Sequence, residues 1–182
     1  LRRQRQMCIR DRYSTCAIGA ALTLGFVLPQ NFNFPYASLG FSEFWRRWHI
    51  SLSSFLRDYL YFWLGGSRKG PLRTTINASA TMLLGGLWHG AAWHFVLWGA
   101  LHGFLLAGER ALKSVFAYRV DTDRAVTRLA LMLLTYILIC FTWVFFRAGT
   151  IGEAITLLSA MTGGQGGDIL AAPAVWRICI LT

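Results

Sequence analysis

Histidine is the residue type that could do chemistry in this chain. Three of its four histidines, His89, His94 and His102, fall within residues 76–108, a stretch of 33 residues without Asp, Glu, Lys or Arg. A run that long and that free of charge reads as inserted in a membrane. An ionisable side chain there is costly and is by default a functional-site candidate. The competing reading is a histidine that gives one ring N–H to a backbone carbonyl and helps helices pack. His89 stands between glycines, in Gly85-Gly86-Leu87-Trp88-His89-Gly90-Ala91. As a general base, an imidazole would take a proton from an attacking hydroxyl. As metal or haem ligands the histidines are badly spaced: His89 and His94 are five apart and His94 and His102 eight apart, not the three or four of a helical metal site. A proton relay usually adds Asp or Glu within the spans, and neither 76–108 nor 129–146 holds one. Elimination favours catalysis but names no reaction.

The elements that must position these groups belong to a membrane protein. Of 182 residues, 55% are hydrophobic and 15% aromatic, eight are Trp and only four are Pro. The net charge of +10 is no sign of nucleic acid, because the cations flank apolar segments instead of striping a polar domain. Anionic membrane lipid is the expected partner of such cations. Cys8, Cys16, Cys140 and Cys179 show neither close pairing nor metal-ligand spacing, so reduced thiols are expected.

Residues 1–12 carry five arginines and one aspartate and differ in character from the rest of the chain. They are expected to be a non-native or disordered basic prefix, with organised sequence from about residue 13 to the end. Residues 14–28 form an apolar segment too short to cross ~30 Å of hydrocarbon, ended by Pro29. Asn31-Phe32-Asn33-Phe34-Pro35-Tyr36 reads as an interfacial turn. Ser42 is the expected N-cap of a helix in which Glu43 reaches Arg46 and Arg47, with Phe44, Trp45 and Trp48 as an aromatic face. Leu52 to Leu64 is a second amphipathic piece. Two aromatic-basic helices in a row suggest elements lying in the membrane interface. An anchoring belt explains the tryptophans, but it does not require the acid of Asp58.

Residues 65–73 are a basic loop without the GxxxxGK[ST] phosphate motif. Basic loops on both sides of 76–108 imply, by the positive-inside rule, that the stretch enters and returns on the cytoplasmic side. Its break is expected at the glycines around His89, between two half-length helices, with one long tilted helix as the alternative. Irregular backbone at depth must line a protein cavity, which puts His89 at the deep end of a pocket open to the cytoplasm. Residues 109–128 read as a cytoplasmic loop, 129–146 as a transmembrane helix, 151–161 as a short amphipathic helix and 163–167 as a flexible loop. The expected fold class is all-α, a polytopic membrane protein fragment with transmembrane, re-entrant and interfacial amphipathic helices.

Five ordered motifs carry a family resemblance: Asn31 to Tyr36, Glu43-Phe-Trp-Arg-Arg-Trp-His-Ile-Ser-Leu-Ser53, Leu56-Arg-Asp-Tyr-Leu-Tyr61, Leu64-Gly-Gly66 and Gly86-Leu-Trp-His-Gly90. Together they resemble the membrane-bound O-acyltransferase family, and within it the bacterial alginate O-acetyltransferase branch. The resemblance implies a partial domain over 13–182, lacking N-terminal spans and final helices and inactive alone. It implies transfer of an acyl group, acetyl in this branch, from a cytoplasmic thioester donor to a hydroxyl of an exported polysaccharide such as alginate. Acetyl-CoA would be the donor substrate, with no bound cofactor and no metal. Periplasmic polysaccharide-acetylation proteins would be partners, and the location would be the bacterial inner membrane, crossed several times. The family's catalytic histidine matches His89, and a second family histidine matches His49. Arg46 and Arg47 could meet donor phosphates, with Asp58 and Trp88 as further substrate-binding candidates; His94 and His102 are expected to be structural. The alternative from another class is a non-enzymatic membrane scaffold or transporter subunit with the same fold.

Overall fold

The computed structural model describes residues 16–115 and 124–161, and every regular element among them is a helix. Residues 16–23 form α1. It ends earlier than Pro29, because Gly25 takes a φ of 82° and lets the Phe26 N–H reach the Ala21 carbonyl at 2.9 Å. A single turn at Pro35–Ala37 leads into α2, Phe41–Arg47.

Gly40, not Ser42, precedes α2 as its cap residue, and no side chain of its own caps it. The orphan N–H groups find carboxylates instead: Leu39 N–H donates to Glu43 Oε2 and Ser42 N–H to Glu109 Oε2, each at 2.9 Å. Glu109 thus takes the Ser42 N–H that a serine at the cap position would take, Glu43 fastens the chain just before the cap, and the helix dipole favours both acids. Glycine at 40 makes room, since a Cβ there would lie 2.7 Å from Glu109 Oε1. Partial burial pushes the Glu43 carboxyl up. The Leu39 N–H and the Arg47 guanidinium outweigh that and hold it below its ordinary value.

The second amphipathic piece begins at α3, Ile50–Phe55, two residues before the expected Leu52, and winds on as a π-helical stretch over Leu56–Tyr61. Gly65 and Gly66 then turn the chain with positive φ. Buried Asn77 fastens that turn, its Nδ2 donating to the Gly66 carbonyl at 2.9 Å.

The uncharged stretch does break where the glycines are. Helix α4, Gly70–His89, ends at the histidine, and α5, Trp93–Val115, returns beside it. The helices are not half-length: at 20 and 23 residues each is about 30 Å long or more. They extend through residues expected to be loop, because Pro71 suits the first turn of α4 and an i,i+4 pair of Glu109 with Lys113 supports the last turns of α5. Small residues bring the backbones into contact. A Cβ on Gly86 would lie 2.4 Å from the Phe95 carbonyl oxygen, and one on Gly99 would lie 2.5 Å from that of Met82. Further along, Gly103 packs on Ser79, whose hydroxyl donates to the Gly103 carbonyl at 3.2 Å. Gly99 and Gly103 thus form a small-xxx-small seam of the kind that joins helices where water cannot drive association.

Helix α6, Ala125–Arg147, begins one turn before the expected Leu129 and is long and apolar enough to cross a membrane. Helix α7, Ile151–Met161, starts with Glu153 accepting the Gly149 N–H at 3.0 Å while Thr150 Oγ1 accepts the Glu153 N–H at 3.2 Å. The core forms where α2 wedges between α5 and α6: Phe44 and Trp45 meet Trp98, Leu106, Ile139 and Phe145. Cys16 and Cys140 are not joined in a disulfide. The expected prefix 1–12, Cys8, Cys179 and the loop 163–167 lie outside the described residues.

Candidate active site

His89 is the last residue of α4, and Gly90 behind it is extended, with its N–H on the Leu87 carbonyl at 3.2 Å. Glycine is needed there because a Cβ would lie 2.7 Å from the Phe95 ring. The half-buried imidazole stands edge-on to Trp88, Trp98 and Phe146 at centroid distances of 5.1, 5.4 and 5.0 Å. Three helical segments, from α4, α5 and α6, therefore enclose one ring.

His49 reaches the same place from the other half of the chain. It occupies the corner between α2 and α3 with φ 45° and ψ 57°, the left-handed region that a non-glycine residue enters at a cost. The turn motif at Asn31 holds that corner. Asn31 accepts the Ile50 N–H on its carbonyl at 3.0 Å and the Ser51 N–H on its side-chain oxygen at 2.9 Å. Asn33 N–H donates to the Arg47 carbonyl at 2.9 Å, and the Phe32 ring packs on Trp48 at 4.8 Å and on His49 at 6.3 Å. His49 stands within electrostatic reach of His89.

The remaining candidates divide. Arg46 lines a cleft of about 300 Å³ between α2, the π-helical stretch and the hairpin. Arg47 turns away from it, paired with Glu43 at 2.6 Å and bonded to the Asn33 carbonyl. Asp58 is exposed and grips its neighbour Arg57 at 2.7 Å, and it is Arg57 that lines the cleft. Trp88 touches His89 but is 66% exposed. His102 is fully buried, its Nε2 3.0 Å from Thr142 Oγ1 and its ring edge-on to Trp45 and Trp98, and so ties α5 to α6. His94 lies against Phe95 at 4.1 Å. Asn31, Phe32 and Arg110 are the residues that sequence reasoning passed over. Asn31 and Phe32 stood inside a motif read as an interfacial turn and as part of the family resemblance but given no role of their own, and Arg110 sat in a stretch read as a basic cytoplasmic loop.

A half-buried histidine ringed by aromatic side chains, on an all-helical scaffold with one helix of membrane-spanning length, fits an integral membrane protein. Comparison with known proteins narrows it. The model of the MBOAT, membrane-bound O-acyltransferase family matches residues 4–150, and the chain belongs to that family. It is 49% identical over 149 residues to a protein of Azotobacter vinelandii described as "Probable alginate O-acetylase AlgI", covering 82% of this chain and 29% of the relative. It is 42% identical to the peptidoglycan O-acetyltransferase of Helicobacter pylori, over 85% of this chain and 29% of that one. With the teichoic acid D-alanyltransferase of Bacillus subtilis it shares 31% identity, over 74% of this chain and 36% of the other. The chain thus spans about a third or less of the length of these relatives.

Proposed function

We propose that the protein carrying this chain is an acyltransferase of the bacterial inner membrane, crossing it several times, that moves acetyl from a cytoplasmic thioester toward a hydroxyl of an exported polysaccharide. Acetyl-CoA is the donor substrate, and alginate or a similar polymer is the acceptor. The observation that carries this reading is the placement of His89 at the end of α4, edge-on to Trp88, Trp98 and Phe146 from three helices. The imidazole of His89 takes the acceptor hydroxyl proton as its oxygen attacks the thioester carbonyl. The C–O bond of the ester forms, the C–S bond breaks, and the proton returns to the departing thiolate. His49 lies beside His89 to orient it or to share that proton.

The placement suits transfer toward the exported side. Both ends of the α4–α5 hairpin are basic, with Arg68, Lys69 and Arg73 before and at the start of α4 and Arg110 and Lys113 in the last turns of α5, so the hairpin is read as entering and returning on the cytoplasmic side. His89 is at its tip, about 24 Å along α4 from Arg73 at 1.5 Å per residue, and touches Phe146 at the far end of α6. Helix α2 runs from the basic ends, where its Ser42 N–H donates to Glu109, toward the tip, where Trp48 meets Trp143, and periplasmic partners would take up the acyl group.

The test is complementation. A strain lacking the gene should recover O-acetylated polysaccharide with the wild-type protein and not with His89→Ala at equal membrane abundance. Recovery with the variant would point instead to a scaffold or transporter subunit that uses the fold without the chemistry.

A further inference from the structure

One helical turn away from the rings around His89, α5 and α6 are joined by a polar contact. Trp98 and His102 lie four residues apart on one face of α5, as Thr142 and Phe146 do on α6. The helices run antiparallel, so the two pairs meet level by level. At one level the Trp98 and Phe146 rings stand 5.1 Å apart, and both touch the His89 imidazole, at 5.4 and 5.0 Å. At the next level His102 Nε2 lies 3.0 Å from Thr142 Oγ1, with both side chains fully buried. The direction of that hydrogen bond is fixed. The Thr142 hydroxyl has one hydrogen and gives it to the Ile139 carbonyl at 2.8 Å, so the ring N–H of His102 donates and Thr142 Oγ1 accepts. The other ring nitrogen, Nδ1, is buried without a hydrogen-bond partner among the described residues. Burying an imidazole in this way is costly, and one hydrogen bond between helices adds little cohesion within a membrane. What it adds is direction: it locks the rotation of α5 against α6, which apolar contacts leave free to slip. Trp45 of α2 stands edge-on to Trp98 and His102, at 5.9 and 5.2 Å, so the helix that leads to His49 rests on the same pair.

We propose that the His102–Thr142 hydrogen bond positions the base: by fixing the rotation of α5 against α6 it sets, one turn away, the Trp98 and Phe146 rings that aim the His89 imidazole at the reacting hydroxyl. This rests on the acyltransferase reading and makes His102 and Thr142 positioning residues, whose effect reaches His89 through Trp98 and Phe146. A side chain stands about 5–6 Å from its helix axis, so a rotation of about 10° moves it by about 1 Å. A misplacement of that size can cost about a hundredfold in rate.

The experiment uses the full-length protein and two readouts. One is kcat and KM for labelled acetyl-CoA in inverted membrane vesicles. The other, in detergent, is the His89 resonance of protein carrying ¹³C at histidine Cε1, assigned by its absence in His89→Ala. Thr142→Val keeps the side-chain shape and removes the acceptor. It should lower kcat about 10- to 100-fold, leave KM for acetyl-CoA unchanged, and shift the His89 resonance as the rings around it move. Thr142→Ser keeps the acceptor and should restore both. If Thr142→Val lowers membrane abundance, Thr142→Ala carries the test, because it removes the same acceptor and sets no methyl against the His102 N–H. A pair that only holds the fold together would lower the melting midpoint while kcat of the folded protein and the His89 resonance stayed as in the wild type; that result would overturn the proposal. So would a fall in kcat with the resonance unmoved. A resonance that shifts in Thr142→Val and returns in Thr142→Ser, with no acetyl transfer by the wild type, would remove the acyltransferase reading and leave the positioning of His89 standing.

Discussion

His49 holds a backbone conformation that costs on the order of 1–2 kcal/mol, and the residues that hold it there are as informative as the ring itself. Asn31 ties Ile50 and Ser51 with two hydrogen bonds, and Phe32 packs on the imidazole. Asn31→Ala removes only the side-chain bond to Ser51. Stability should drop by about 1 kcal/mol, while kcat falls further than stability accounts for, because the corner that aims His49 loosens. A melting curve run beside initial rates checks this, and equal retention of rate would make Asn31 a fold residue only. His49→Ala should lose less activity than His89→Ala, whose removal is expected to cost about 10²–10⁴-fold, the range of a lost general base. Histidines at 49 and 89 were legible in the sequence as members of two motifs. That the two lie within electrostatic reach of each other was not, because nothing between residues 49 and 89 announces that the chain doubles back.

At the scale of the elements, the hairpin depends on glycines at the α4–α5 seam. Gly99→Ala would put a methyl 2.5 Å from the Met82 carbonyl oxygen, against rigid helix backbone on both sides. The helices must part, at a cost of about 1–3 kcal/mol, and a melting midpoint in detergent should fall clearly. An unchanged midpoint would mean the two helices do not touch there. Helix α2 offers a pH test. Because the Glu43 carboxyl is held below its ordinary value, it adds stability above that ordinary value and loses it as pH falls through the lowered one. Wild type and Glu43→Gln should therefore differ in midpoint at neutral pH and converge in acid. Apolar patterning and the placement of glycines marked the helices and the break at His89. They misjudged lengths and caps, because residues 70–75 and 109–115 look like loop until a partner helix pairs with them. Nor could residue spacing show that Glu109 reaches across to α2.

For the molecule as a whole, large apolar side chains remain exposed along the helices: Leu72, Leu84 and Leu87 on α4, Phe104 on α5, and Leu129, Leu133 and Ile137 on α6. Such surfaces suit lipid or neighbouring helices, not water. The proposed topology rests on the charge at the two ends of the α4–α5 pair. Cysteines placed at Ser67 and Ser114 should react with a membrane-impermeant reagent from the same face of the membrane. Reaction from opposite faces would place only one of the two helices across the bilayer and displace the histidine pair from its proposed depth. Whether His89 performs acyl transfer can be read in inverted membrane vesicles supplied with labelled acetyl-CoA. Label should enter the polysaccharide fraction with the wild type and almost none should with His89→Ala at matched abundance and unchanged melting. Equal labelling by both would contradict it and leave His89 a packing residue.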